Sequence, residues 1–164
     1  MFRSLIPDYY YENVQNINLE ILKSKGIKYI ICDLDNTLDS HNQKIPSQKA
    51  LDFLENLKQC GFQVCIISNG TLARVTKYLE NYPLKFIAKA GKPLKKSYQK
   101  AMSEIGATPE ITAFIGDQIF TDVLGANRMN LTTILVNPIE SIENAFFYIK
   151  RPLEKIVKSK ITKE

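Results

Sequence analysis

The sequence predicts an α/β domain of three layers, in which a mostly parallel sheet of five or more strands lies between helices. Two observations carry that prediction. Apolar runs of four to seven residues alternate with segments of helical period, and each link between runs is long enough for one crossover helix and no more. The second point also leaves no room for an inserted lid or cap. At 164 residues, with 45% hydrophobic and 24% charged side chains, the chain supports one domain with a proper core and one active site.

The strands are expected over 27–33, 62–68, 85–88, 111–115 and 132–136. Between the first two, SQKALDFLENLKQCG reads as a helix with Ala50, Leu51, Leu54 and Leu57 on one face, Ser47 as N-cap and Gly61 as the stop. A second helix is expected over 71–80, with Leu72, Val75 and Leu79 inward. A third spans 94–105, with Leu94, Tyr98, Ala101, Met102 and Ile105 inward before Gly106. All of 1–164 is expected to form the single domain. Within it, about 1–25 reads as an N-terminal extension and about 138–164 as a basic helical segment packed on the rest.

Composition narrows the function. No internal repeat or polar low-complexity tract is visible, no stretch approaches a membrane span, and MFRSLIPDYYYENVQ lacks the apolar core of a signal peptide. A cytoplasmic protein is the expectation, with peripheral contact to the inner membrane face as an open alternative. Cys32, Cys60 and Cys65 form no C-x-x-C pair and read as reduced packing residues. The net charge of +5 is uneven: residues 85–100 hold six lysines and no acid, residues 150–164 contribute +4, and the remainder sums to −5. That asymmetry favours an anionic ligand near the first cluster, and no nucleic-acid partner is expected. Nothing in the sequence sets an oligomeric state.

In an open parallel sheet, ligands bind beyond the carboxyl ends of the strands. The first strand ends in Asp33-Leu34-Asp35-Asn36-Thr37 and the second in Ser68-Asn69-Gly70-Thr71. The third link carries Gly91-Lys92-Pro93, and the fourth strand ends in Gly116-Asp117-Gln118, followed by Thr121-Asp122. Carboxylates gathered at one edge repel unless a cation sits among them, and all-oxygen donors without His or Cys point to Mg²⁺, with Asp33 and Asp117 as side-chain ligands. A hydroxyl and a lysine beside such a cation suit a phosphate: Lys92 neutralises its charge, and Ser68 with loop N–H groups binds its oxygens. Asn69 and Thr37 join them as phosphate-binding candidates, Thr37 also as a residue that fixes its loop. Of the two close acids, one can attack phosphorus while the other, two residues on, protonates the leaving alkoxide and later deprotonates water. Asp122 is placed to hold a metal-bound water or to orient Lys92.

These four segments, in order and spacing, resemble the motifs of the haloacid dehalogenase (HAD) superfamily of Mg²⁺-dependent phosphatases, whose fold is a Rossmann-like α/β domain. The resemblance implies Asp33 as nucleophile and metal ligand, and Asp35 as general acid and base and as a backbone-carbonyl metal ligand. It further implies Ser68 and Lys92 as phosphate binders, Asp117 as a direct metal ligand, and Asp122 in support. The missing cap is similar to the type III branch. LIPDYY at the start, GDQ-x-FTD and G-x-NR resemble its YqeG-like group, related to phosphatidylglycerophosphate phosphatases. Where that group has S-N-N, this chain has Ser68-Asn69-Gly70, so one loop contact differs.

The resemblance makes a phosphomonoester hydrolase working through an aspartyl-phosphate the leading expectation, with phosphatidylglycerophosphate as substrate. Alternatives are another phosphoester, such as a phosphoprotein, nucleic-acid end or nucleotide, or a regulatory module that holds phosphate without turnover. His41 reads as a solvated loop residue. Arg74 and Arg128 can each reach a second anionic group or serve surface packing, and neither is placed among the catalytic residues. PLEKIVKSKI sets Leu153, Ile156, Val157 and Ile161 on one helical face, with Lys155, Lys158 and Lys160 elsewhere. Such a helix can cover its own sheet or lie on an anionic membrane, and the aromatic start (Phe2, Tyr9, Tyr10, Tyr11) permits both.

Overall fold

The structure, a computed structural model, describes residues 2–140 and, beyond them, Pro152, Lys155, Lys158 and Ser159. Six parallel strands form one sheet: β1 (Tyr9–Tyr11), β2 (Tyr29–Asp33), β3 (Gln63–Ile67), β4 (Lys85–Ile87), β5 (Thr112–Gly116) and β6 (Thr132–Val136). Their spatial order is β1-β6-β5-β2-β3-β4. Among the described residues the α-helices that accompany them are α1 (Leu19–Ser24), α2 (Gln48–Gln59), α3 (Leu72–Tyr78), α4 (Lys95–Ile105) and α5 (Leu124–Arg128).

Because successive side chains of a strand point to opposite faces, the apolar run of β2 serves two cores. Ile30 and Cys32 pack with Leu22, Ala50, Phe53, Leu57, Val75 and Tyr78 from α1, α2 and α3. Ile31 packs the other way with Tyr98, Ala101, Met102 and Ala126 from α4 and α5. A strand buried on both faces reads as continuous apolar sequence, which is why it was legible. Cys32 and Cys65 are buried, Cys60 is half-buried, and all three are free thiols.

The helix faces differ from expectation in detail. Ser47 caps α2 by accepting from Ala50 N at 3.2 Å, and Gly106 ends α4 in the left-handed region at φ 66°. The stripe of α2, however, holds Phe53 where Leu51 was expected, since 50, 53, 54 and 57 lie on one face of the helix and 51 lies off it. In α3 Tyr78 replaces Leu72, and Leu72 and Leu94 are exposed at the starts of their helices, before the axis brings side chains onto the sheet.

The larger difference lies at the N-terminus. Residues 9–11, expected within an extension, form the edge strand β1, paired in parallel with β6 from Tyr9↔Ile134 to Tyr11↔Val136. All three tyrosines are buried, so they belong to the sheet and offer no aromatic surface to a membrane. Of the basic C-terminal segment, Leu153, Ile156, Val157, Lys160 and Ile161 lie outside the described residues. Lys158 Nζ donates to Asn137 Oδ1 at 3.2 Å and lies 5.5 Å from the Tyr10 ring centroid, against the sheet edge. No helix among the described residues is long and apolar enough to cross a membrane.

The order of strands positions the site. From β2 the chain steps outward to β3 and β4, then returns to the other side of β2 for β5 and β6. The reversal falls between β2 and β5, whose carboxyl ends deliver Asp33 and Asp117 to one crevice.

Candidate active site

Asp33 is the last residue of β2, and the chain must turn sharply after it. Leu34 O accepts from Thr37 N, Leu38 N and Asp39 N at 3.2, 3.0 and 3.4 Å, while Asn36 N donates to Asp39 O at 2.6 Å. Asn36 sits in the left-handed region at φ 67°, which asparagine tolerates better than most residues. The turn folds Thr37 back, so that its Oγ1 donates to Asp33 Oδ2 at 2.8 Å and lies 3.3 Å from Asp117 Oδ1.

Lys92 enters from the loop between β4 and α4. Its Nζ donates to Asp33 Oδ1 at 2.5 Å and to Asp122 Oδ1 at 2.7 Å, with all three side chains almost fully buried. The loop is held from below: Asn69 Oδ1 accepts from Lys92 N at 2.9 Å, and Ala90 N donates to Ser68 O at 3.0 Å. Gly91 adopts φ 68°, a conformation a side chain would strain. Asn69, expected at the phosphate, thus uses its carboxamide oxygen to fix the lysine's backbone.

Asp122 comes from the single π-helical turn Ile119–Val123 after β5. Its Oδ2 accepts from Gln118 N at 3.1 Å, and its carboxyl crowds Gly116 so closely that a Cβ there would fall 2.5 Å from Oδ2. A glycine at the end of β5 is therefore a packing requirement of the site. Tyr98 secures the same turn by donating to Thr121 O at 2.8 Å.

The electrostatics follow from burial. Asp33, Asp117 and Asp122 each offer a carboxylate oxygen within 4.8 Å of the others, and all three are buried. One buried lysine, Lys92, sits against Asp33 and Asp122, so the cluster is rich in negative charge. Burial pushes the Asp33 carboxyl up to about 6, Lys92 pulls it down and Asp122 adds to the rise. Burial alone would favour neutral Lys92, but Asp122 and Asp33 outweigh it and hold the ammonium above the ordinary lysine range. An all-oxygen, buried, acid-rich cluster suits a hard divalent cation.

Asp35 faces a different neighbourhood. Its side chain stands apart from the acid cluster, and Asp122 takes the third place there. Asp35 Oδ1 accepts from Arg74 Nη2 at 2.9 Å and lies 3.6 Å from His41 Nδ1, while Oδ2 accepts from Ser68 Oγ at 3.3 Å. Ser68 Oγ in turn accepts from Gly70 N at 2.9 Å. This half is open: the Asp35 side chain is 20% and His41 59% exposed.

Arg74, kept off the catalytic list in the sequence, is brought to the site by α3, whose N-cap Thr71 accepts through Oγ1 from Arg74 N at 3.2 Å. Asp39, absent from the sequence-derived candidates, is buried: its Oδ2 accepts from Ser47 N at 2.9 Å and from Tyr78 Oη at 2.5 Å. It ties the turn after β2 to α2 and α3. A polar residue in an acid-rich loop carries no local signal of such burial. Arg128 is exposed at the end of α5.

The chain is similar to known proteins. A family profile described as HAD-hydrolase-like matches residues 89–138, and one described as mitochondrial PGP phosphatase matches residues 2–81. The chain is 35% identical to "Probable phosphatase YqeG" of Bacillus subtilis (strain 168), over 97% of this chain and 92% of that protein. It is 25% identical to phosphatidylglycerophosphate phosphatase 1 (chloroplastic/mitochondrial) of Arabidopsis thaliana over 87% of this chain, and spans 43% of that protein's length. Among solved structures, a HAD phosphatase from Thermococcus onnurineus superposes with a TM-score of 0.53 at 15% identity, covering 77% of this chain and 98% of that one. That likeness is one of fold.

Proposed function

The chain belongs to the HAD-like phosphatases, hydrolases of phosphate monoesters, and from that premise we propose that it cleaves its substrate through an aspartyl-phosphate on Asp33 with Mg²⁺ as cofactor. The observation that carries this reading is the buried set of Asp33, Asp117 and Asp122 around a single lysine. Asp33, Asp117 and the Asp35 backbone carbonyl would hold Mg²⁺, with Asp122 in support, and the ion would neutralise charge on the phosphate.

The chain's own residues divide the remaining work. Lys92 and Ser68, with Thr37 and Asn69 fixing the loops, bind the phosphate oxygens. An Asp33 oxygen attacks phosphorus, the bond to the ester oxygen breaks, and Asp35 gives that oxygen its proton. Asp35, now ionised, takes a proton from the water that attacks the aspartyl-phosphate. Asp33 is regenerated, inorganic phosphate leaves, and Asp35 ends protonated as it began. Asp35 suits the role because it lies at the open side of the site, within reach of both an alkoxide and solvent.

Phosphatidylglycerophosphate is the substrate we propose, supported by the family likeness over residues 2–81, the basic segments of the chain and a crevice no cap encloses. The test compares Mg²⁺-dependent phosphate release from phosphatidylglycerophosphate in vesicles with release from soluble phosphomonoesters. A marked preference for the lipid is expected, and a strong preference for soluble sugar phosphates would overturn the lipid reading.

A further inference from the structure

Three features of the rim converge on a space beside Asp35. Arg74 donates Nη2 to Asp35 Oδ1, yet its Nε and Nη1 are buried and find no acceptor among the described residues. Its guanidinium lies over the Tyr78 ring, 5.3 Å from the centroid, and that ring is anchored through Oη to Asp39. Gly70 packs against the same groups: a Cβ there would stand 3.0 Å from Ser68 Oγ, 3.4 Å from Asp35 Oδ2 and 3.6 Å from Arg74 Cγ. His41 approaches Asp35 Oδ1 too, and is largely exposed.

We propose that Arg74, with no side chain on Gly70 beside it and His41 at the outer edge, binds a second anionic group on the leaving-group side of the substrate. The assignment rests on the phosphatase reading, because Asp35 marks where the leaving oxygen departs. An arginine whose donors are only partly used, laid on a fixed aromatic wall, is suited to an oxyanion: a small rotation on the Tyr78 ring presents a second N–H pair without losing the stack. The same rotation loosens its grip on Asp35, which must carry a proton when the ester bond breaks. The favoured substrate class is a phosphomonoester whose alcohol bears a further negative group a few bonds away, from a phosphodiester or a carboxylate. Gly70 places no side chain in the path of that group, and an asparagine there would crowd Ser68, Asp35 and Arg74.

The experiment compares propyl phosphate with 3-phosphonopropyl phosphate, which carries one cleavable phosphate and one inert anion, using the full chain with Mg²⁺. The wild-type protein is expected to favour the second substrate in kcat/KM by about tenfold or more, mostly through KM. Arg74→Gln should lower both rates through its contact with Asp35, and should also erase the preference. Arg74→Lys should restore part of the preference, and Gly70→Asn should reduce it. A preference that survives Arg74→Gln would overturn the proposal, since Arg74 would then only position Asp35. A parallel calorimetric measurement with propane-1,3-diyl bisphosphonate and propylphosphonate decides the point without turnover. If the wild-type protein cleaves neither ester, the phosphatase reading fails, and the affinity ratio of the two phosphonates in wild type and Arg74→Gln still accepts or rejects the Arg74 subsite.

Discussion

The inner and outer halves of the site are built differently. Inside, Asp33, Thr37, Lys92, Asp117 and Asp122 are buried and bonded to one another, so each side chain fixes the next. At the rim, Asp35, His41 and Arg74 are partly exposed, share one carboxylate oxygen, and leave guanidinium donors unused. A preorganised interior costs no rearrangement when charge develops on phosphorus, whereas a rim with spare donors can adapt to what it meets. Chemistry and selectivity are thus separated along the depth of the crevice, and perturbing each half should have a distinct signature.

The largest effect is expected at the centre. Asp33→Asn should reduce phosphate release by on the order of 10⁴-fold or more, because it removes the attacking oxygen while keeping shape. Activity within tenfold of wild type would remove Asp33 from the reaction and with it the division just drawn. Lys92→Met should abolish activity and, in metal-free protein, lower stability by about 3–5 kcal/mol, since buried Asp33 and Asp122 lose the ammonium they share. Chemical denaturation with and without Mg²⁺ measures this, and added Mg²⁺ should recover part of the loss.

Acidity probes the same half more gently. A carboxyl held up to about 6 by burial is increasingly protonated below that pH, and a proton on Asp33 competes with both metal binding and attack. Activity should fall about tenfold per pH unit below the Asp33 midpoint. Mg²⁺ favours the ionised carboxylate, so it should shift that midpoint downward. Binding Mg²⁺ at pH 5.5 should accordingly release more protons than at pH 8, as calorimetry in buffers of different ionisation enthalpy reads; equal release would mean Asp33 is already ionised.

The smallest effect concerns the wall beneath the rim. Burial, then the bond to Asp39, raises the Tyr78 hydroxyl above the ordinary tyrosine range, so it remains a donor at neutral pH. Tyr78→Phe leaves a buried Asp39 oxygen short of one bond and should lower stability by about 1–3 kcal/mol, read as a shift in the denaturation midpoint. An unchanged midpoint would show that Asp39 does not need the tyrosine.

The inner half was legible in the sequence because its signals are local. An apolar run ending in Asp33, a glycine-flanked Lys92 and Gly116-Asp117 following another apolar run each declare a strand end or a loop on that edge. The rim was only half legible. Asp35 and Ser68 follow their strands directly, but Arg74 reaches Asp35 across 39 positions of chain through the orientation of α3. The role of Asp39 was hidden for the same reason: its partners Ser47 and Tyr78 meet it only after α2 and α3 have packed. β1 escaped notice because three tyrosines give neither alternation nor length, and the strand exists by pairing with β6, more than a hundred residues away.

Periodicity and strand-end chemistry, both properties of short segments, determined the layered α/β architecture, the central strands and the four segments that bring acidic and basic groups to one crevice. Tertiary structure decided which carboxylates share a lysine, that Asp122 joins the acid cluster while Asp35 turns toward Arg74, and that the N-terminal tyrosines complete the sheet. The physical reason is that a strand's burial pattern is written in consecutive residues. Which charges become neighbours depends on distances between segments, and those are fixed only when the whole chain has packed.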